Sequence, residues 1–349
     1  MLSFAKATLA PPKRGRLIRS VGNRTTLAVA LMLTSGLSLS LGAGEAPAQT
    51  QYPATAVKVL TGFPAGTVVD TLGRLLADRL QPALGQPVVI EAAVGAGGNI
   101  AADRAAKAQP DGYTLLLTGN AAMVVNQHLY EKLPFDPTKD FVPISLVAVA
   151  PNVLVVHPDM PAKSVQELVA LARAKPEELT YAHVGVGTSQ HLAAELVKQA
   201  TGVAIRPVAY RGANTIYPDL MAGRISMCFC NIATALPLVR EGKLRALAVT
   251  SLKPSSAAPD LPTMEASGFP GFQAEAWLGL VAPAGTPPSV IATLHRETAK
   301  ALSDPSMRKT MGELGMVPVG NSPEEFAAVI KAEIPYWEKV VKGLGLKLQ

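Results

Sequence analysis

The sequence predicts an α/β fold in two lobes. Strand-like and helix-like segments alternate along the chain, strand–turn–helix units occur in two separate sets, and two extended apolar segments bounded by proline join the sets. In the first set, residues 57–63 read as a strand. Ala65, Gly66 and Thr67 then turn the chain into a helix whose apolar positions Val68, Leu72, Leu75, Leu76 and Leu80 recur at helical spacing. Residues 88–91 form a second strand, followed by Gly95-Ala96-Gly97-Gly98 and a helix over 101–108 that Pro110, Asp111 and Gly112 stop. A third strand, 113–118, is continuously apolar and ends at Gly119 and Asn120, as suits a parallel sheet covered on both faces.

The second set repeats the pattern. Strand 179–184 leads through a small-residue loop into a helix over 190–201, and strand 205–210 leads through Arg211-Gly212-Ala213-Asn214 into another helix reaching Leu220. Strands 225–229 and 244–250 follow. Residues 147–157, between Pro151 and Pro158, and residues 277–282, before Pro283, read as crossings between lobes. Helices over 289–302, 305–314 and 323–344 are expected to pack back on the first lobe. The expected division is 49–155 completed by 275–349 for one lobe and 156–274 for the other.

Residues 1–48 read as a secretory signal peptide. Lys6, Lys13, Arg14, Arg16, Arg19 and Arg24 precede an uncharged apolar run over 27–41, which Thr34, Ser35, Gly36, Ser38 and Ser40 interrupt. That run is shorter and more polar than the roughly 20 apolar residues of a spanning helix. Ala46-Pro47-Ala48 supplies a small-x-small site, so cleavage is expected after Ala48, leaving 301 residues (349 less the 48 removed). Of the formal net charge of +6, the six leader cations less Glu45 carry +5, so the mature chain is near neutral. A nucleic-acid partner is therefore not expected. Cys228 and Cys230, the chain's two cysteines, are expected as separate buried thiols. Neighbours two apart in a strand share a face but lie roughly 6.5 Å apart.

Two strand-to-helix turns stand out. Phe63–Asp70 (FPAGTVVD) and Val184–His191 (VGVGTSQH) are small-residue loops ending in a hydroxyl at a helix start, where free N–H groups and about half a positive charge attract an anion without Lys or Arg. One such turn from each lobe, facing across a cleft, would hold a dicarboxylate or one carboxylate plus a polar tail. Thr67 and Asp70 also have capping-box spacing, so Asp70 serves either the helix end or the ligand. Asn120 and Asn231 end strands where an amide can reach the cleft or simply form a turn. Tyr210 and Arg211 open a further loop. Arg211 would pair with a carboxylate or sit on the surface.

An enzyme reading rests on Gly187-Thr188-Ser189-Gln190-His191, which nearly matches the GxSxG elbow of serine hydrolases with Ser189 as nucleophile. His191 replaces the last glycine, and no acid-then-histidine order follows downstream, His295 falling on a helix. The five histidines, His128, His157, His183, His191 and His295, have no metal-ligand spacing. The Gly95–Gly98 loop lacks the GxGxxG spacing, so neither a metal nor a nucleotide cofactor is expected.

The chain resembles the substrate-binding receptors of tripartite tricarboxylate transporters, the Bug receptors. The resemblance runs in family order through FPAGTVVD, LGQPVVIE, GAGGNIAADRAAKAQPDGYTLL, LPFDPTKDF, HVGVGTSQHLAAEL, VAYRGANTIYPDLMAGRI, GKLRALAVTS, PDLPTMEASGFPG and WLGLVAPAGTP. It implies a type II periplasmic-binding (Venus flytrap) fold, without catalysis or cofactor, that captures a small carboxylate in the periplasm for the membrane components of a transporter. A monomer is expected. Carried over by position, Ala65, Gly66, Thr67 and Asp70 would contact the ligand from the first lobe and Gly187, Thr188 and Ser189 from the second, with Asn120, Tyr210 and Asn231 as further candidates. Thr67 stands where the family usually has a second glycine, Ala92 where it has asparagine, and Ser226 where it often has aspartate.

Overall fold

Apolar strands joined by amphipathic helices can bury both faces of a sheet only if the helices alternate sides, and that constraint organises the chain. The computed structural model describes residues 52–348 apart from Gln273. The predicted leader and its cleavage site lie outside the described residues. The first pass runs β1 (Val57–Thr61), α1 (Val68–Leu84), β2 (Val88–Ala92), α2 (Asn99–Ala106) and β3 (Thr114–Gly119). A π-helical turn at Ala121–Val125 then leads into α3 (Asn126–Leu129) and β4 (Phe141–Ala150). Next come β5 (Asn152–Val156), α4 (Val165–Ala174), β6 (Thr180–His183), α5 (Ser189–Thr201), β7 (Arg206–Ala209) and α6 (Ala213–Met221). The pass ends with β8 (Met227–Asn231), α7 (Ile232–Arg240) and β9 (Arg245–Val249). The chain returns through β10 (Ala276–Pro283), α8 (Pro288–Ser303), α9 (Pro305–Glu313), β11 (Val317–Pro318) and α10 (Pro323–Gly343).

These strands form two sheets, ordered β11-β4-β10-β3-β1-β2 and β7-β6-β8-β5-β9. In the first, β1 runs parallel to β2 and β3, while β10 is antiparallel to β3 and β4. In the second, β6 is parallel to β7 and β8, and β5 is antiparallel to β8 and β9. The change of sheet falls at Pro151, between β4 and β5. All of β5 hydrogen-bonds into the second sheet, so the change of sheet precedes the expected boundary at 155.

Period-two alternation distributes the core. Leu115 and Leu117 of β3 pack with α1, α8 and α9, whereas Leu116 packs on the opposite face with α2, α3 and α10. In β8, Met227 and Phe229 face α4 and α5, and Cys228 and Cys230 face α6 and α7. The cysteines share a face as expected, but they are joined as a disulfide. The strand contracts to a Cα–Cα separation of 5.3 Å, inside the range that two sulfurs can bridge. That contraction corrects the expectation of two separate thiols.

α1 leaves β1 toward β2 on one side, and the chain after β3 departs toward β4 on the other, so the order reverses between β1 and β3. The same reversal occurs between β6 and β8, whose helices α5 and α7 lead to β7 and β9 on opposite sides. A crevice opens outside the carboxyl ends of strands at each reversal. Both crevices open on the same cavity.

Candidate functional site

The cavity has a volume of about 60 Å³. Its walls are the start of α1 (Thr67, Val68, Val69), the residues after β3 (Asn120, Ala121, Ala122), the start of α5 (Thr188, Ser189, Gln190), Asn231 at the end of β8, and Trp277 of β10. No Asp, Glu, Lys, Arg or His is among the described residues lining it. Whatever binds there meets dipoles, hydroxyls, amides and apolar side chains.

α1 is capped by its own residues. Thr67 accepts from the Asp70 N–H at 3.5 Å and donates to Pro64 O at 2.8 Å, and the Asp70 carboxylate accepts from the Gly66 N–H at 3.0 Å and from Arg74 Nε at 3.1 Å. The Asp70 carboxylate thus serves the helix end: it faces the turn and an arginine and is not among the residues lining this cavity. Ala65 and Gly66 are exposed on the outside of the turn, and the helix reaches the cavity one step later, at Thr67, Val68 and Val69.

α5 begins differently. The Thr188 hydroxyl donates to Gly185 O at 2.7 Å, so Thr188 occupies the N-cap without capping, and among the described residues no side chain satisfies the first-turn N–H groups. Ser189 is 5% exposed and its hydroxyl has no partner among the described residues. An uncapped first turn opening on an uncharged cavity offers free backbone N–H donors of the kind that suit an anion. Gly187 lies outside the cavity at φ +85°, where an added Cβ would stand 2.5 Å from Leu129 Cδ1 and 2.8 Å from Asn126 Oδ1. Only glycine lets this turn lie so close to α3 of the other lobe.

Two asparagines link the cavity to the crossings. Asn120 Nδ2 donates to Glu275 O at 3.2 Å, just before β10. Asn231 Nδ2 donates to Asn152 Oδ1 at 3.0 Å, and Asn152 Nδ2 in turn donates to Ala274 O at 2.9 Å. Asn152 is fully buried: it lies on the first crossing, reaches Ala274 just before β10, and its N–H donates to Thr250 Oγ1 at 2.9 Å. Tyr210 lies outside the cavity. With Arg211 it lines a neighbouring gap, and its phenol, donating to Asp219 Oδ2 at 2.7 Å, is pushed up to about 12 by burial first and then by Asp219.

Of the sequence-predicted residues, the structure gathers Thr67, Asn120, Thr188, Ser189 and Asn231 around one cavity and leaves Ala65, Gly66, Asp70, Gly187 and Tyr210 outside it. Gln190, Trp277 and Asn152 escaped the sequence reading. Gln190 is adjacent to the loop motif and Asn152 follows the proline of a crossing, so each carried a signal, whereas Trp277 did not. The His191 ring packs 4.8 Å from that of His183 and 6.2 Å from that of Tyr181. Burial, and then His183, lower its pKa to about 4, so it is neutral at physiological pH. No histidine hydrogen-bonds Ser189 among the described residues, and no cluster of three or more His, Cys, Asp or Glu able to hold a metal occurs among them.

The fold and site define a two-lobed α/β solute-binding protein whose pocket lies between the lobes. A family model described as tripartite tricarboxylate transporter family receptor matches residues 72–346. Protein BugT of Bordetella pertussis is 36% identical over 321 residues, spanning 91% of this chain and 98% of BugT. Among solved structures, R. palustris Rpa4515 with adipate has a TM-score of 0.82 at 36% identity, covering 85% of this chain and 99% of that one. MatC (Rpa3494) from Rhodopseudomonas palustris, with bound malate, has a TM-score of 0.79 at 33% identity, covering 83% and 100%. The chain belongs to the tripartite tricarboxylate transporter receptor family, and its role is solute binding.

Proposed function

We propose that the mature protein is a periplasmic receptor that closes on a small carboxylate and presents it to the membrane components of a tripartite transporter. The observation that carries this reading is the uncapped first turn of α5 facing the start of α1 across a cavity without charged walls. Thr67, Asn120, Thr188, Ser189 and Asn231 are the proposed contacts. The carboxylates held by Rpa4515 and MatC support the ligand class. Residues up to Pro151 with 275–349 form one moving body and 152–274 the other, pivoting where Asn152 joins the crossings. Export with cleavage after Ala48 fits the Cys228–Cys230 disulfide, which suits an oxidising compartment. Among the described residues no helix is long and apolar enough to cross a membrane. The protein acts as a monomer without chemistry of its own: Ser189 lacks a base, and its place at the α5 start suits a hydrogen-bond donor.

The test is a thermal-shift screen of the mature protein against carboxylates, with scattering on each hit. A ligand at a hundred times its Kd adds about 2.7 kcal/mol of stability, and closure should compact the protein. A library-wide absence of shifts would refute the reading.

A further inference from the structure

Gln190 is 2% exposed, lines the cavity and belongs to the uncapped first turn of α5. Its Oε1 is buried without a hydrogen-bond partner, and none is formed by its Nε2 among the described residues. A buried amide left unpaired costs stability that a bound group can restore. We propose that Gln190 is a specificity residue that selects a carboxylate bearing a hydroxyl on the first or second carbon from the carboxyl group. This rests on the carboxylate reading of the same cavity.

The class follows from chemistry and reach. The Gln190 side chain starts from the turn whose N–H groups hold the carboxylate, so it reaches atoms one or two bonds beyond. The amide offers one acceptor and donors, and a hydroxyl both gives and takes a hydrogen bond, so a single substituent satisfies it in either orientation. An ammonium would satisfy the acceptor too. It would, however, bring a positive charge into a cavity with no Asp or Glu on its walls, and an unpaired buried charge is costly. An apolar acid leaves the amide orphaned. The preference is therefore hydroxy acid, then unsubstituted acid, then amino acid, because a site built to hydrogen-bond a hydroxyl discriminates strongly against analogues lacking it.

Calorimetric titration of the full mature protein with matched sets tests this: lactate, propionate and alanine; malate, succinate and aspartate; and mandelate, phenylacetate and phenylglycine. In at least one set the hydroxy acid should bind tenfold or more tighter than its parent, and the amino acid weakest. In Gln190→Met, which keeps an unbranched side chain of similar length and whose folding is checked by its melting curve, that ratio should fall toward one. Equal or better binding of the parent or amino acid throughout, or a ratio that survives in Gln190→Met, overturns the inference and leaves the carboxylate reading standing. No binding in any set, together with no hit in the thermal-shift screen, overturns both.

Discussion

Placing a fixed carboxylate at the N-cap of α5 should empty the site without unfolding the protein. Thr188 sits at that cap with its hydroxyl spent on Gly185 O at 2.7 Å. Thr188→Asp loses that bond, worth about 1 kcal/mol, and gains a cap worth about 1 kcal/mol, with a further 0.3–1 kcal/mol from the helix dipole. The terms roughly cancel, so the melting temperature should move little. Binding should not survive as well. The new carboxylate takes up the first-turn N–H groups and faces the ligand's own charge. At about 4 Å and an effective dielectric of 20 that repulsion costs about 4 kcal/mol, which at 1.4 kcal/mol per decade is close to three decades of affinity. Thr188→Ser keeps the hydroxyl and should bind nearly as the native protein does. The assay is calorimetric titration of both variants with a ligand the native protein binds, beside their melting curves. Undiminished affinity in a folded Thr188→Asp protein would mean that the ligand does not use this turn, and the second-lobe assignment would fall with it.

Asn152→Ala strips the junction of the crossings of an acceptor for Asn231 Nδ2 and a donor for Ala274 O. With about 1–3 kcal/mol for each of the two buried groups left unpaired, urea unfolding should show a loss of about 2–6 kcal/mol, and a loss under about 0.5 kcal/mol would refute the structural role given to Asn152. Acid should also weaken the fold through His191. Its folded pKa, lowered to about 4, lies below the unfolded value of about 6.5, so below pH 6.5 the unfolded chain takes up the proton first. Stability should fall as pH drops from about 6.5 to 4 and then level with respect to this group, a slope that His191→Phe should flatten in denaturant titrations at pH 7 and pH 4.5. Burial lowers the pKa of His183 as well, so part of the slope should persist.

The strand and helix order was legible because each element carries its own period, as in Leu72, Leu76 and Leu80 down one side of α1, all buried. The double reversal of strand order was not legible. It depends on which side of β1 and of β6 each returning strand takes, and alternation of apolar residues says nothing of that. Within the site, both turns could be found, but the division of labour inside them could not. Thr67 and Thr188 look alike in sequence, and both hydroxyls bond backward, to Pro64 O and Gly185 O, yet only that of Thr67 also accepts from a first-turn N–H. Residue type does not show that difference. The cysteine pair misled for a related reason, since an ideal strand spacing excludes a bridge that a locally contracted strand permits.

A cavity without a cation makes sense for a protein that must surrender what it captures. An arginine on one lobe would hold a carboxylate whether the lobes were open or closed. Here the donors are divided: α1 and the residues after β3 belong to one lobe, α5 and Asn231 to the other. Backbone donors at helix starts are fixed in direction and lose their effect beyond the first turn, so on the proposed reading separating the lobes by a few ångströms would leave each half of the site too weak to retain a carboxylate. Asn120 and Asn231 sit at that divide, each bound to a residue at a crossing. On that reading a shift of either crossing on opening would move an amide that touches the cavity, and retention of the ligand would be a property of the closed state as a whole.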